Sequence, residues 1–199
     1  MALRATAVCV LAVAALAGCG SGSGNESSST TGSRDCSQYG SIPSARTTKA
    51  PWPAPENPMG LTCQAGLVPG VLMRNEKLKF VCGDVHLKVE TSQSLFTNRY
   101  QAGQVIRVPV AHAEGNYFAD SDTLKRLEDR GQIAFRYCAP DGTVDGSGNP
   151  NGSIENIAGV FNDAKTVMGL MPHPENAVEP LFGGCDGKAL FEGLVEALS

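Results

Sequence analysis

The strongest chemical signal in the chain is a histidine and a glutamate two residues apart, His173 and Glu175, set between prolines. Pro172 and Pro174 exclude a regular helix and bias the residue before each of them toward extended geometry. In an extended chain, residues two apart project to the same side, so the two side chains are expected to meet. A carboxylate beside an imidazole fixes its tautomer and stabilises the imidazolium, as a general base requires. Taken alone, the pattern is more typical of a solvated turn with an incidental ion pair.

Other candidate reactive side chains are more ambiguous. His112 follows an apolar run, and it is either a functional histidine or a loop histidine satisfied by backbone groups. The seven cysteines include no C-x-x-C pair and no close Cys/His cluster, so no metal site is predicted. Their irregular spacing favours reduced, partly buried thiols over a disulfide framework.

Composition limits the function classes further. The chain has 199 residues and a formal net charge of −4, with no basic stripe that could neutralise a phosphate backbone, so nucleic-acid binding is not predicted. No glycine-rich phosphate-binding motif is present either, so no nucleotide or other cofactor is expected to bind this chain. These observations favour a domain that acts on a small molecule or binds a protein.

The elements that must position the candidate residues begin near Leu61, where short apolar runs alternate with turn residues. Strands outnumber helices in this pattern, and the mixture predicts an α/β fold. A strand ending at Met171 would bring His173 and Glu175 to an edge of the sheet, where open α/β folds place their sites. Ser121 or Asp122 is available to cap the central helix. The predicted strands are 78–82, 85–89, 105–110, 133–137, 157–160 and 167–170, and the predicted helices are 61–67, 120–130 and 187–198.

The first 60 residues differ from the rest. Arg4 precedes an apolar run, 7–17, which is too short to span a bilayer but suits a signal-peptide core. The run ends in Leu-Ala-Gly-Cys, which resembles a bacterial lipobox and predicts a lipoprotein-type signal segment, 1–19, with lipidation of Cys19. The alternative is a buried helix that ends in cysteine. Residues 20–60 are rich in Gly, Ser and Pro and predict a disordered linker.

Five segments of the domain together resemble a known family. They are Ala65–Asn75, Pro109–Tyr117, Asn149–Ser153 with Asn156–Gly159, Met171–Glu175, and Asp186-Gly187 before the last helix. In this order and spacing they resemble the glutaminase subunit of phosphoribosylformylglycinamidine synthase, a class I glutamine amidotransferase. The resemblance covers 61–199 and implies a partial flavodoxin-like three-layer α/β domain that lacks its first strands and its nucleophile elbow.

The resemblance also implies roles. His173 corresponds to the general base, Glu175 to the residue that orients it, and His112 to a family motif near the glutaminase pocket. The family hydrolyses glutamine in the cytoplasm and passes ammonia to a synthetase subunit, which uses ATP and Mg to convert formylglycinamide ribonucleotide to its amidine in purine biosynthesis. Ala113 stands where the family usually has glycine and Asn176 where arginine is common, which leaves substrate and partner contacts open.

The family's nucleophilic cysteine is not identified in this sequence. It would lie in a Gly-x-Cys-Asn-Gly turn just before the helix expected to end at Ala65-Gly66, where this chain has Glu56 among prolines in the segment 54–60. Cys63 falls inside the expected helix and is predicted to face the core. Two functions therefore remain. The chain is either a truncated or fused glutaminase subunit without glutaminase activity, or a non-enzymatic, membrane-anchored lipoprotein that uses the domain for binding.

Overall fold

The computed structural model describes residue 63 and residues 65–199. The predictions for the signal segment, Cys19, the linker and Glu56 lie outside the described residues. Seven strands and two longer helices form the described part, joined by short 3₁₀ turns. They are β1 Val71–Met73, β2 Val81–Val89, β3 Val105–His112, β4 Asn116–Phe118, α1 Ser121–Asp129, β5 Ile133–Cys138, β6 Ile157–Phe161, β7 Met168–Leu170 and α2 Lys188–Leu198.

The main sheet has five strands in the order β3-β2-β5-β6-β7, while β1 and β4 form a separate two-stranded ribbon. Every pair of neighbouring strands in the described chain runs antiparallel. The longest pairing joins β2 and β3, from Val81 opposite His112 to Lys88 opposite Val105. The α/β class predicted from the sequence is confirmed.

Two apolar clusters lie on opposite sides of the central strands. Alternation along β2 and β3 turns one face of each strand inward, and this face packs with α2 through the fully buried Leu190. The second cluster contains Leu124 and Leu127 of α1, packed against Ile157 and Val160 of β6. Every residue of β6 is buried as a result, since its side chains are divided between the two clusters. Burial of one such aliphatic side chain contributes about 1.5–3 kcal/mol.

Some predicted boundaries were wrong. Val81–Val89 is one continuous strand rather than two, and Leu78 lies in a turn with a φ of 54° instead of beginning a strand. Its backbone N–H donates to the carbonyl of Asn75, which closes that turn. The central helix is capped by Asp120, whose carboxylate accepts from the Thr123 N–H, rather than by Ser121 or Asp122. The short strands β1 and β4 were not predicted.

The sheet curls so that its two edge strands approach each other. β7 and β3 lie at opposite ends of the strand order, yet the backbone N–H of His173, three residues after β7, donates to the carbonyl of Pro109 on β3 at 2.8 Å. The segment that carries His173 therefore lies against the strand that ends at His112. Within the described residues, no helix is both long and apolar enough to cross a membrane.

Candidate active site

His173 and Glu175 form the pair expected from their spacing. The Nδ1 atom of His173 lies 2.8 Å from Oε1 of Glu175, and each side chain is 19% exposed. The expectation that an extended chain brings them together was wrong. Pro174 begins a 3₁₀ turn, Pro174–Asn176, because the fixed φ of proline suits the first position of a helical turn. The predicted catalytic roles stay predictions, although the predicted contact is present.

The contact sets what the imidazole of His173 can do. A carboxylate only accepts hydrogen bonds, so Nδ1 of His173 carries a hydrogen and donates a hydrogen bond to Glu175. The lone pair of Nε2 is then left to take a proton from a neighbouring acid. A carboxylate at this distance also stabilises the positive charge that follows. The pair has the arrangement of a general base with its orienting residue.

His112 lies in a buried hydrogen-bond network beneath this site. The side-chain amide nitrogen of Asn75 donates to the carbonyls of Lys79 and His112, at 2.7 and 2.9 Å. Its oxygen accepts from the backbone N–H of Gly115 at 2.9 Å, which fixes the orientation of the amide. Because that same oxygen lies 3.1 Å from Nδ1 of His112, Nδ1 must be the protonated nitrogen.

The contacts of Nε2, on the other side of the His112 ring, agree with a proton on Nδ1. The backbone N–H and the hydroxyl of Ser153 both donate to the side-chain oxygen of Asn151, at 3.1 and 2.7 Å. The amide nitrogen of Asn151 is therefore the group that faces Nε2 of His112, at 3.4 Å, and Nε2 accepts. If Nε2 were protonated as well, its N–H would face the N–H of the Asn151 amide, and both groups are donors. Burial lowers the pKa of His112 to about 4, with a further contribution from the nearby His173.

The contacts of His112 differ from the alternative of a loop histidine satisfied by backbone groups, while its predicted place near a glutaminase pocket stays a prediction. His112 is satisfied chiefly by two asparagine side chains, and it is neutral at ordinary pH. The network also holds the loop after β3, since the Asn75 side-chain oxygen accepts from the N–H of Gly115 and the Ser153 hydroxyl oxygen accepts from the N–H of Tyr117. A Cβ atom on Gly115 would lie 2.4 Å from the His112 ring, so the network leaves no room for a side chain there.

Sequence reasoning missed three members of this network as site residues. Asn75, Asn151 and Ser153 are each at most 3% exposed. Their residue types are typical of turns, so their positions between strands indicated loops rather than a buried network. The signal that was present is their place inside segments that resemble the family.

None of the free cysteines in the described part is suited to be the nucleophile. Burial raises the pKa of Cys63 to about 11, and it also raises the pKa of the buried Cys138. Attack requires a thiolate, which such values disfavour. Cys185 is free and exposed, and none of the three hydrogen-bonds to His173. Cys82, an exposed residue of β2, is disulfide-bonded, so the expectation of reduced, buried thiols was wrong for that residue.

The described residues also hold no cluster of three or more His, Cys, Asp or Glu side chains that could bind a metal ion. The pair of His173 and Glu175 has a proton-transfer geometry instead. A pair of this kind can take up and release a proton.

Comparison with known families shows which family the domain belongs to. The model of the CobB/CobQ-like glutamine amidotransferase domain matches residues 63–184, which includes His112, His173 and Glu175. The chain belongs to this family.

Individual members of the amidotransferase family are similar to this chain over the same region. "Phosphoribosylformylglycinamidine synthase subunit PurQ" of Bradyrhizobium diazoefficiens is 56% identical over 142 residues, 71% of this chain and 61% of that protein. The protein of the same name from Rhodospirillum rubrum is 55% identical over 143 residues, 72% of this chain and 62% of that protein. The chain thus spans about three fifths of the length of the curated relatives it matches. The resemblance found in the sequence is confirmed.

A solved structure shows the same fold. The structure of PurLQS from Thermotoga maritima contains a chain that is 38% identical and superposes with a TM-score of 0.60, covering 71% of this chain and 58% of that one. This agreement supports the curled α/β arrangement described above. The solved structure and the Bradyrhizobium diazoefficiens protein each match 71% of this chain.

Proposed function

We propose that the described domain is the general-base part of a glutaminase centre of the phosphoribosylformylglycinamidine synthase type. The observation that carries this proposal is the 2.8 Å contact between His173 Nδ1 and Glu175 Oε1, which leaves Nε2 free to accept a proton. We further propose that the chain as it stands does not hydrolyse glutamine, because none of the free cysteines in the described part is a suitable thiol.

The chemistry needs a thiolate at the beginning. In glutamine hydrolysis by this class of enzyme, a cysteine thiol gives its proton to the histidine and its sulfur attacks the side-chain amide carbon of glutamine. The histidine then gives the proton to the leaving nitrogen, ammonia departs, and water hydrolyses the thioester to glutamate. His173 and Glu175 are suited to both proton transfers. With Cys63 at a pKa of about 11, the first step lacks its nucleophile.

The partner and substrate follow from the relatives. Those relatives are named as a subunit of the synthase, and the similar solved structure is of an assembly, PurLQS. We propose glutamine as the substrate of the complete centre and a synthetase subunit as the partner that receives ammonia. ATP and Mg belong to that partner in the family, and no cofactor is assigned to this chain.

The first test measures ammonia release from glutamine by the full chain, with and without a synthetase subunit. We expect no turnover, because a general base without a nucleophile cannot form the thioester. Turnover by the unmodified chain that is lost in Cys63→Ser would show that Cys63 is the nucleophile and that the proposal of inactivity is wrong.

The second test restores the rest of the centre. In a chimera, residues 1–62 are replaced by the part of the Rhodospirillum rubrum protein that precedes the matched region. We expect the chimera to release ammonia and the His173→Ala version to be about 10²–10⁴-fold slower, the usual contribution of a general base. His86→Ala is the matched control, since His86 lies on β2 among paired strand residues and should leave the rate unchanged. A folded but inactive chimera would count against the proposed role.

A further inference from the structure

The last helix touches the turn between the two candidate catalytic residues through a glycine. Gly187 immediately precedes α2, and a Cβ atom on it would lie 2.0 Å from the carbonyl oxygen of Pro174 and 2.7 Å from its carbonyl carbon. These are backbone atoms, so they cannot rotate away as the end of a flexible side chain can. The φ and ψ of Gly187, −76° and −18°, are ordinary helical values. Glycine is therefore needed here for close approach and not for backbone conformation.

The atoms that Gly187 touches are those that set the geometry of the pair. Pro174 lies between His173 and Glu175, and its carbonyl accepts from the backbone N–H of Ala177 at 2.9 Å. The N–H of Gly187 in turn donates to the carbonyl of Ala177 at 2.8 Å. The 3₁₀ turn and the start of the helix are thus interlocked through backbone groups alone.

The start of α2 is also fixed from its other side. The carboxylate of Asp186 accepts from the backbone N–H of Arg107 at 2.8 Å, and its carbonyl accepts from the hydroxyl of Tyr100 at 2.7 Å. One turn later, Leu190 is fully buried in the larger apolar cluster. Because these contacts hold the start of α2, a side chain added at residue 187 would displace the turn at Pro174.

We propose that Gly187 is a positioning residue, whose missing side chain lets the turn at Pro174 hold His173 and Glu175 in hydrogen-bond contact. The importance of Gly187 for catalysis rests on the function proposed above, but its close contact with the backbone of Pro174 does not. No atom of Gly187 reaches the substrate in this role; it acts only through the backbone of Pro174.

Nuclear magnetic resonance of the full chain tests this directly, because the sequence contains only three histidines. With ¹⁵N-labelled histidine, the signals of His86, His112 and His173 are assigned by single substitutions. The readouts are the hydrogen-bonded Nδ1 proton of His173 and the ¹⁵N pattern that reports its tautomer. In Gly187→Ala we expect loss of that proton signal and a mixture of tautomers at His173, as in Glu175→Ala, with the His86 signals unchanged.

The matched control is Gly193→Ala in the same helix. There a Cβ atom would first meet the side-chain oxygen of Asn98 at 2.1 Å, which can move, while the nearest backbone atom is 3.1 Å away. We expect the His173 signals to stay as they are in the unmodified chain. The same change in Gly193→Ala as in Gly187→Ala would overturn the proposal, since it would indicate a general disturbance of the helix.

A folded Gly187→Ala protein whose His173 signals are unchanged would also overturn the proposal. If Gly187→Ala does not fold, Asp186→Ala takes its place, because it loosens the start of α2 without adding an atom at residue 187. We expect it to weaken the Nδ1 proton signal of His173 partially, and an unchanged signal overturns the proposal. The readout needs no turnover, so its failure is distinguishable from failure of the glutaminase assay.

Discussion

The two histidines near the candidate site have opposite surroundings. His173 lies in a turn, is 19% exposed, and has a carboxylate as its partner. His112 lies at the end of a strand, is 4% exposed, and has two amides as its partners. The carboxylate accepts a hydrogen bond from the His173 ring, whereas the two amides, whose orientations are fixed by neighbouring donors, leave no acceptor for a second proton on the His112 ring. The same side chain thus has a carboxylate partner in one region and joins loops in the other.

The comparison also separates stability from chemistry. The network around His112 joins three segments that are 36–40 residues apart along the chain, so its loss should affect folding. The pair of His173 and Glu175 spans only three residues and is half-buried, so its loss should affect reactivity. The predictions below test this division.

The largest effect on stability is expected from Asn75→Ala. The substitution leaves the Nδ1–H of His112, the N–H of Gly115 and two carbonyls without their partner. Since each unsatisfied buried group costs about 1–3 kcal/mol, we expect the free energy of unfolding to fall by about 3 kcal/mol or more. Urea unfolding measures it. The control Asn176→Ala, at an exposed asparagine, should change stability by less than about 0.5 kcal/mol. Equal effects of the two substitutions would contradict the network.

The next effect concerns pH. His112 has a pKa of about 4 in the folded protein against an ordinary value of 6.5, so the unfolded chain binds more protons between these values. The free energy of unfolding should therefore fall as the pH is lowered from 6.5 toward 4, by about 3 kcal/mol in total from this group. In His112→Gln this component disappears, while carboxylate titrations common to both proteins cancel in the difference.

Urea unfolding at several pH values between 4 and 7 compares the two proteins. His86→Gln is the control and should keep the pH dependence of the unmodified chain, because His86 lies outside the buried network. A His112→Gln protein with an undiminished slope between pH 4 and 6.5 would show that His112 is not held neutral.

The smallest effect on stability is expected from Glu175→Gln. Glutamine keeps an oxygen that can accept from Nδ1 of His173, and the pair is partly exposed, so the free energy of unfolding should change by about 1 kcal/mol or less. Thermal and urea unfolding check this. A loss above about 2 kcal/mol would mean that the pair is part of the structural framework, and the division between the two histidine regions would fail.

Much of the framework could be predicted from the sequence because it follows local patterns. The alternation of Val85, Leu87 and Val89 indicated a strand with one buried face, and the spacing of Leu124 and Leu127 indicated a helix. The strands β1 and β4 could not be found this way, since each has three residues and depends on pairing with a segment more than 40 residues away.

The site was predictable only in part for the same reason. The contact between His173 and Glu175 is local, and their spacing indicated it even though the turn type was wrong. The partners of His112 lie 37 and 39 residues away in sequence, and nothing in the local pattern specifies them. Gly187 was visible as part of a family-like segment, but its contact with Pro174 depends on how the helix packs.

The order of strands in the main sheet has a kinetic consequence. β2 and β3 follow each other in the chain, as do β5, β6 and β7, so each group can form as a local hairpin or meander at a small cost in loop-closure entropy. Among the strand pairings of the described residues, only that of β2 with β5 joins the two groups. In it the fully buried Leu87 lies opposite Tyr137 and Val89 lies opposite Phe135. Because non-local pairing is slow, we expect this seam to close last. His112 belongs to one group and His173 follows the other. We therefore expect the two histidines to come close only when β2 pairs with β5, although neither histidine is part of that pairing.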